Sequence, residues 1–242
     1  MYLFPDGVLN RSACLMFLAC GISLAQSDVP HFGLGVAASS LGVSVQAATG
    51  VTTHSNIRGG FNFFNYDHDF NKDGVTYKGS LELRSVQVTY DYFFGPFHIS
   101  PGALIYNGNR GDATAVVPGG RSFTLGGTTF YSSATYPVNG SGTLEVNKAA
   151  PMILFGVGNL LPRSSRHFGV NVEAGVVFEG SAKVKLNLGG TTCLTSALTP
   201  CVNTATDPVV QRAVLLEQSK LSDDVSPFRY YPVVSIGISY KF

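Results

Sequence analysis

The chain contains no tryptophan, only five histidines and three methionines, and just 13% Asp, Glu, Lys and Arg among its 242 residues. That charged share is about half the soluble average. Sixteen basic side chains against fifteen acidic ones leave a formal net charge of +1. Such a balance excludes the electrostatic footprint of a nucleic-acid binder. Long hydrophobic runs are missing as well. Past residue 25 no stretch supplies the roughly 18 uninterrupted apolar residues of a membrane-crossing helix. The nearest, Ala149 to Leu161, is broken by Pro151, Gly156 and Gly158. Yet 45% of the residues are hydrophobic. A chain this apolar with so few charges needs either an unusually large core or a lipid environment.

The amino-terminal segment "RSACLMFLACGISLA" is the exception in pattern. Arg11 precedes an apolar run from Ala13 to Leu24, and small Ser23 and Ala25 suit a signal-peptidase site. Residues 1–25 therefore read as a secretory signal peptide and 26–242 as one mature domain. A lipoprotein site at Cys20 fits less well, because Phe17 and Leu18 match such a box poorly. Cys14 and Cys20 leave with the signal. Cys193 and Cys201 remain, close together in an exported chain, and read as a disulfide. A thiolate metal site would need more soft ligands, so no metal is assigned.

What recurs in the mature chain is period two. "FGVNVEAGVVFEG" sets Phe168, Val170, Val172, Ala174, Val176 and Phe178 against Asn171, Glu173 and Glu179. "LGVSVQA" and "NIRGGFNFF" alternate in the same way, the latter placing Ile57, Phe61 and Phe63 opposite Arg58, Gly60 and Asn62. Alternation of this kind is the signature of half-buried strands. In "YKGSLELRSVQVTYDYFF", Val86, Val88, Tyr90 and Tyr92 oppose Ser85, Gln87, Thr89 and Asp91, but Glu82 and Arg84 fall on the valine face. A bulge would explain the reversal. The preferred explanation is a strand that runs beyond the roughly 25 Å apolar band of an outer membrane, so that its outer face meets water.

Connections alternate between short (49–55, 95–96, 161–167) and long and polar (67–76, 108–141, 189–227). Three of each join seven strands, and "HFGLGVAASS" supplies an eighth. The predicted fold is all-β: an eight-stranded antiparallel transmembrane barrel, with a short helix over 208–222 in the last long loop. Asp207 and Pro208 mark the start of that helix.

The stretches "NIRGGFNFFNYDHDFNKDGVTYKGSLELRS", "GALIYNGN", "GGTTFYSSATY", "FEGSAKVKL" and "YYPVVSIGISYKF" together resemble a family of uncharacterised outer-membrane β-barrels of Gram-negative bacteria. In architecture that family is similar to small OmpA- and OmpW-type barrels. The resemblance covers most of the mature chain and specifies architecture rather than activity. It implies an outer-membrane location, with lipid, lipopolysaccharide and, during biogenesis, the barrel-insertion machinery as partners. The ending resembles the signal read by that machinery, with Ser235, Gly237, Tyr240 and Phe242 at the matching positions. A monomer is expected.

An eight-stranded barrel has room inside for side chains or one small ligand. Arg58, Asp91, Glu173 and Glu179 fall on inward faces and are expected to pair as a lumen network, because an unpaired charge there is costly. The leading reading is thus a non-enzymatic structural or surface protein with a filled lumen and no cofactor. A narrow channel for small or apolar solutes is the alternative. A lipid-modifying enzyme ranks third, with His68 of "YDHDF" as its one plausible catalytic histidine; His54, His98 and His167 are placed near periplasmic turns as interfacial or solvated groups. "DFNKDG", Asp69 to Gly74, begins like a calcium loop, but Ser80 stands at its twelfth position and its flanks are strands. A polar hairpin tip explains it equally well.

Overall fold

The computed structural model describes residues 32–72, 75–163 and 165–242. The expected signal peptide lies outside them, as do His31, Asp73 and Gly74. In chain order the strands are β1 (Gly33–Ser39), β2 (Gly42–Thr52), β3 (Ser55–Lys72), β4 (Val75–Phe94), β5 (Phe97–Asn107), β6 (Arg110–Val117), β7 (Ser122–Leu125) and β8 (Thr128–Ser132). There follow β9 (Val138–Glu145), β10 (Ala150–Gly158), β11 (Phe168–Phe178), β12 (Lys183–Gly189), β13 (Thr191–Cys193) and β14 (Cys201–Asn203). The helix α1 (Pro208–Asp224) and β15 (Tyr230–Lys241) complete the chain.

Eleven strands form one antiparallel sheet, and β5 pairs with β4 as well as with β10. The sheet thereby closes on itself through β1, β2, β3, β4, β5, β10, β11 and β15, a ring of eight. The seam is β1 against β15, in register from Gly33↔Lys241 to Ser39↔Ser235. Three strands lie beyond the ring: β6, β9 and β12 extend outward from the upper half of β4. β7, β8, β13 and β14 form a second, four-stranded sheet. The expected eight-stranded barrel is therefore incomplete as a description, because the long connections carry strands of their own.

One predicted loop is not a loop. The segment 67–76 is the top of the β3–β4 hairpin, whose pairing runs unbroken from Ser55↔Tyr92 to Lys72↔Val75. With 18 and 20 residues, these strands are about twice the 9–11 residues that cross a bilayer. The continuous register also locates the polarity reversal around Glu82 and Arg84: no bulge separates β3 from β4. β4 exchanges partners instead, pairing β5 below Ser85 and β6 above Glu82.

The helix is close to its predicted span, and Asp207 caps it, its Oδ1 accepting from the backbone N–H of Val209 (3.0 Å) and Val210 (3.1 Å). Its buried Val210, Ala213 and Val214 pack on Leu125 and Phe130, with Leu186, Leu188 and Phe123 alongside. The helix thus covers β7 and β12. Cys193 and Cys201 form the expected disulfide, joining β13 to β14 at one register position.

Candidate functional site

Inside the ring, side chains fill the lumen in layers. The first layer closes the end at which the β2–β3, β4–β5 and β10–β11 connections lie. Leu161, expected in the short turn 161–167, is instead tucked into the barrel beside Ala48, together with its neighbour Leu160. Asn159 holds that turn in place: its Oδ1 accepts from the Leu161 N–H (2.8 Å) and from Asn56 Nδ2 (3.0 Å). Arg163 donates to Asn56 Oδ1 and to the Thr52 carbonyl, both at 3.0 Å, and lies over the Phe93 ring.

The second layer is ionic. Arg58 on β3 is 2% exposed, and every nitrogen of its guanidinium is engaged. Nε donates to Thr89 Oγ1 at 3.2 Å; Nη1 donates to Gln46 Oε1 at 3.3 Å and Glu173 Oε2 at 2.9 Å; Nη2 donates to Asp91 Oδ1 at 3.0 Å and to Glu173 Oε1. Thr89 passes the connection on by donating to Asp91 (2.9 Å). These partners stand on β2, β4 and β11, so one side chain bridges the lumen. The bidentate contact with Glu173 is the geometry that favours arginine over lysine.

His98 completes this layer and corrects the placement above. It is buried, not interfacial, with Nε2 at 2.9 Å from Glu173 Oε1 and Nδ1 at 3.1 Å from the Gly158 carbonyl. A carbonyl only accepts, and so does a carboxylate. Each ring nitrogen of His98 therefore faces an acceptor, and Arg58, His98, Asp91 and Glu173 form one contiguous quartet. The signal for His98 was present in "FHIS", where His98 and Ser100 alternate with Phe97 and Ile99.

Above the ionic layer lies an apolar one: Leu41, Leu104, Ala150, Met152, Leu154, Val177 and Val233, with Tyr231 packed against it. Glu179, expected to join Arg58, sits beyond this layer at the far end of β11 and has a different partner. Its Oε2 accepts from Asn107 Nδ2 (2.5 Å). Burial, only partly offset by that hydrogen bond, pushes its carboxyl up to about 7.

The remaining sequence candidates are dispersed. Ser235 and Gly237 face the lumen on β15, where a Cβ at Gly237 would lie 2.7 Å from Asn171 Oδ1 and 3.0 Å from Ala37. Tyr240 and Phe242 lie on the outer surface and join Phe32 and Phe168 in one aromatic cluster at the closed end. His68 is exposed on the protruding hairpin, stacked between Tyr66 and Phe70. Asp67 and Asp69 neighbour it in sequence but project from the opposite face of the strand, so neither pairs with it. Asp69 and Asn71 belong to a straight strand, with Asn71 Nδ2 donating to Thr76 Oγ1 (3.3 Å), and not to a calcium loop. Among the described residues no group of three or more His, Cys, Asp or Glu is placed to hold a metal.

No protein-family model matches the chain, and no curated protein matches it. Solved structures share the fold. Acinetobacter baumannii CarO is 20% identical with a TM-score of 0.55, over 90% of this chain and 100% of that one. Acinetobacter baumannii CarO2 is 18% identical with a TM-score of 0.55, over 88% and 99% of the two chains.

Replacing Arg58 with Met strands two buried carboxylates, and is expected to destabilise the fold by about 3–5 kcal/mol. Adding Asp91→Asn and Glu173→Gln to Arg58→Met should recover most of that loss. Urea unfolding of the detergent-folded protein, followed by far-UV circular dichroism, measures both. A second outcome concerns pH. Glu179 has a folded-state value above its ordinary 4.5. Its contribution to stability is therefore fully present below pH 4.5 and lost as pH rises through about 7. Glu179→Gln should be more stable than the parent at pH 8 by roughly 2 kcal/mol, with the advantage gone at pH 4.

Proposed function

We propose that the chain is an integral protein of a Gram-negative outer membrane, crossing it through the ring of eight strands, and that its role is structural or surface-presenting rather than enzymatic. The observation carrying this reading is the filled lumen inside an apolar exterior. Outward positions such as Leu34, Val36, Val45, Ile57, Phe61, Phe155, Val170, Ile236 and Ile238 are exposed, while Ser44, Gln46, Arg58, Asn62, Gln87 and Asp91 are buried. In water that arrangement is inverted; in lipid it is the expected one. Ring closure satisfies the backbone of β1 and β15, which would otherwise present open edges to the hydrocarbon.

Lipid and lipopolysaccharide are then the standing environment of the outer face. The pattern Ser235, Gly237, Tyr240 and Phe242 serves as the address read by the insertion machinery, and a monomer suffices because the ring closes within one chain. The alternative of a narrow channel would require the ionic and apolar layers both to part.

The decisive experiment is electrical. Purified protein reconstituted into planar bilayers should give no stepwise conductance, and steady single-channel openings would sink the filled-lumen reading. The biogenesis claim has its own check. Deleting Phe242, which is 68% exposed and packs on the Phe32 ring at 5.9 Å, should lower the heat-modifiable, membrane-inserted fraction in cells without lowering synthesis. Unimpaired insertion would remove the address role.

A further inference from the structure

Above the apolar layer, between the mouth of the ring and its outward extension, lies a cavity of about 320 Å³. Small-molecule sites begin at roughly this size, 300–1,000 Å³. Its walls come from separate elements: Leu81 and Leu83 of β4, Leu144 of β9, Phe228 of the turn after α1, and Tyr231 of β15. Glu179 also lines it. The lining is otherwise almost wholly apolar, apart from Asn109 and Arg110 at one wall. Arg110 is already committed, with its Nε at 2.7 Å from Asp112 and 3.8 Å from Glu82.

Glu179 is different. It is 2% exposed, has one hydrogen-bond partner, Asn107 on Oε2, and forms no ion pair with Arg110 or any other described cation within 4.0 Å. A carboxyl kept in an apolar chamber with one oxygen uncommitted is costly for the fold. Such a group, together with a concave apolar surface, is the combination that marks a binding site.

We infer that this chamber is a binding site for a compact apolar molecule carrying one amino group, with the ammonium held by Glu179 and the body packed against Leu81, Leu83, Leu144 and Phe228. An anionic head group is disfavoured by Glu179 and finds Arg110 already paired. A neutral molecule of the same shape gains the apolar contacts but not the ion pair. The site does not depend on the proposed absence of conduction, because the ligand enters from the outer side and stops above the apolar layer.

The test uses three probes of matched size on the folded, full-length mature protein at pH 8: 2-phenylethylamine, 2-phenylethanol and phenylacetate, titrated by isothermal calorimetry. The expected order is amine, then alcohol, then acid. Glu179→Gln should weaken the amine at least about tenfold, as truncating one partner of a buried charge pair does, while leaving the alcohol unchanged. Leu144→Trp, which fills the chamber, should weaken amine and alcohol alike. Each variant is first required to retain heat-modifiable migration; if Glu179→Gln fails this, Glu179→Ala and competition between the three probes on the parent protein decide the matter. Equal affinity for the three probes, preference for the acid, or no heat at millimolar probe would each overturn the assignment. Conductance of the parent protein is recorded separately, so failure of the filled-lumen reading and failure of this site give different results.

Discussion

A guanidinium buried in a barrel cannot be left with an idle N–H group, and most of the ring interior is arranged around that requirement. Arg58 needs two carboxylates and two neutral acceptors, and it finds them on β2, β4 and β11. Arg58 and Glu173 are 115 residues apart in the chain, so the contact exists only when the ring has closed. A charge buried without partners is worth several kcal/mol against the fold. The network therefore penalises any register that misplaces one member, since a slip of one residue turns the inward side chain outward. His98 binds the same Glu173 from β5, bringing a fifth strand to the layer.

The same alternation that fills the lumen builds the outward extension, with the polarity of the two faces exchanged. Along β3 the outward positions run Ile57, Phe61, Phe63 and then turn to Asn65, Asp67 and Asp69. The lumen-side positions run Arg58, Gly60, Asn62 and then turn to Phe64, Tyr66, His68 and Phe70. β4 exchanges in step, from Asp91, Thr89, Gln87 and Ser85 to Leu83, Leu81 and Tyr77. On the proposed topology the surroundings of the outer face change there from lipid to water; on the inner face Leu83 is buried, while Phe64, Tyr66, Phe70 and Leu81 stay exposed. Val75, Val117, Val138 and Leu188 then pack against one another, and α1 has an apolar surface to cover.

That exchange also marks the boundary of what the sequence makes legible. The strands of the ring are legible because period two persists along its outer and inner faces. The reversal at Glu82 and Arg84 coincides with the point where β4 leaves β5 for β6, which is where the proposed topology takes the strand out of the membrane. The segment 67–76 nevertheless reads as a loop, because polar composition outweighs the period-two aromatics Tyr66, His68 and Phe70. Arg58, Asp91 and Glu173 were legible as inward charges, whereas His98 was obscured by its nearness to the Gly95–Pro96 turn. Leu160 and Leu161 carry no periodic signal at all. Only the fold-back at Asn159 turns them into the lumen.

Two properties of the lumen follow from its stacking order. An apolar layer above an ionic one separates the charges of the Arg58 quartet from Glu179, so the two groups answer to different surroundings. The quartet is closed: its charges are met by one another and its remaining sites by Thr89, Gln46 and a backbone carbonyl. Glu179 is open, with Asn107 alone to meet it and a chamber on its free side. Closed charge clusters hold strands in register, while an open buried carboxyl is tolerated only where the rest of the fold supplies the stability. Here the eight paired strands of the ring supply it, and this imperfectly satisfied acid lies where the polarity of the sheet changes over.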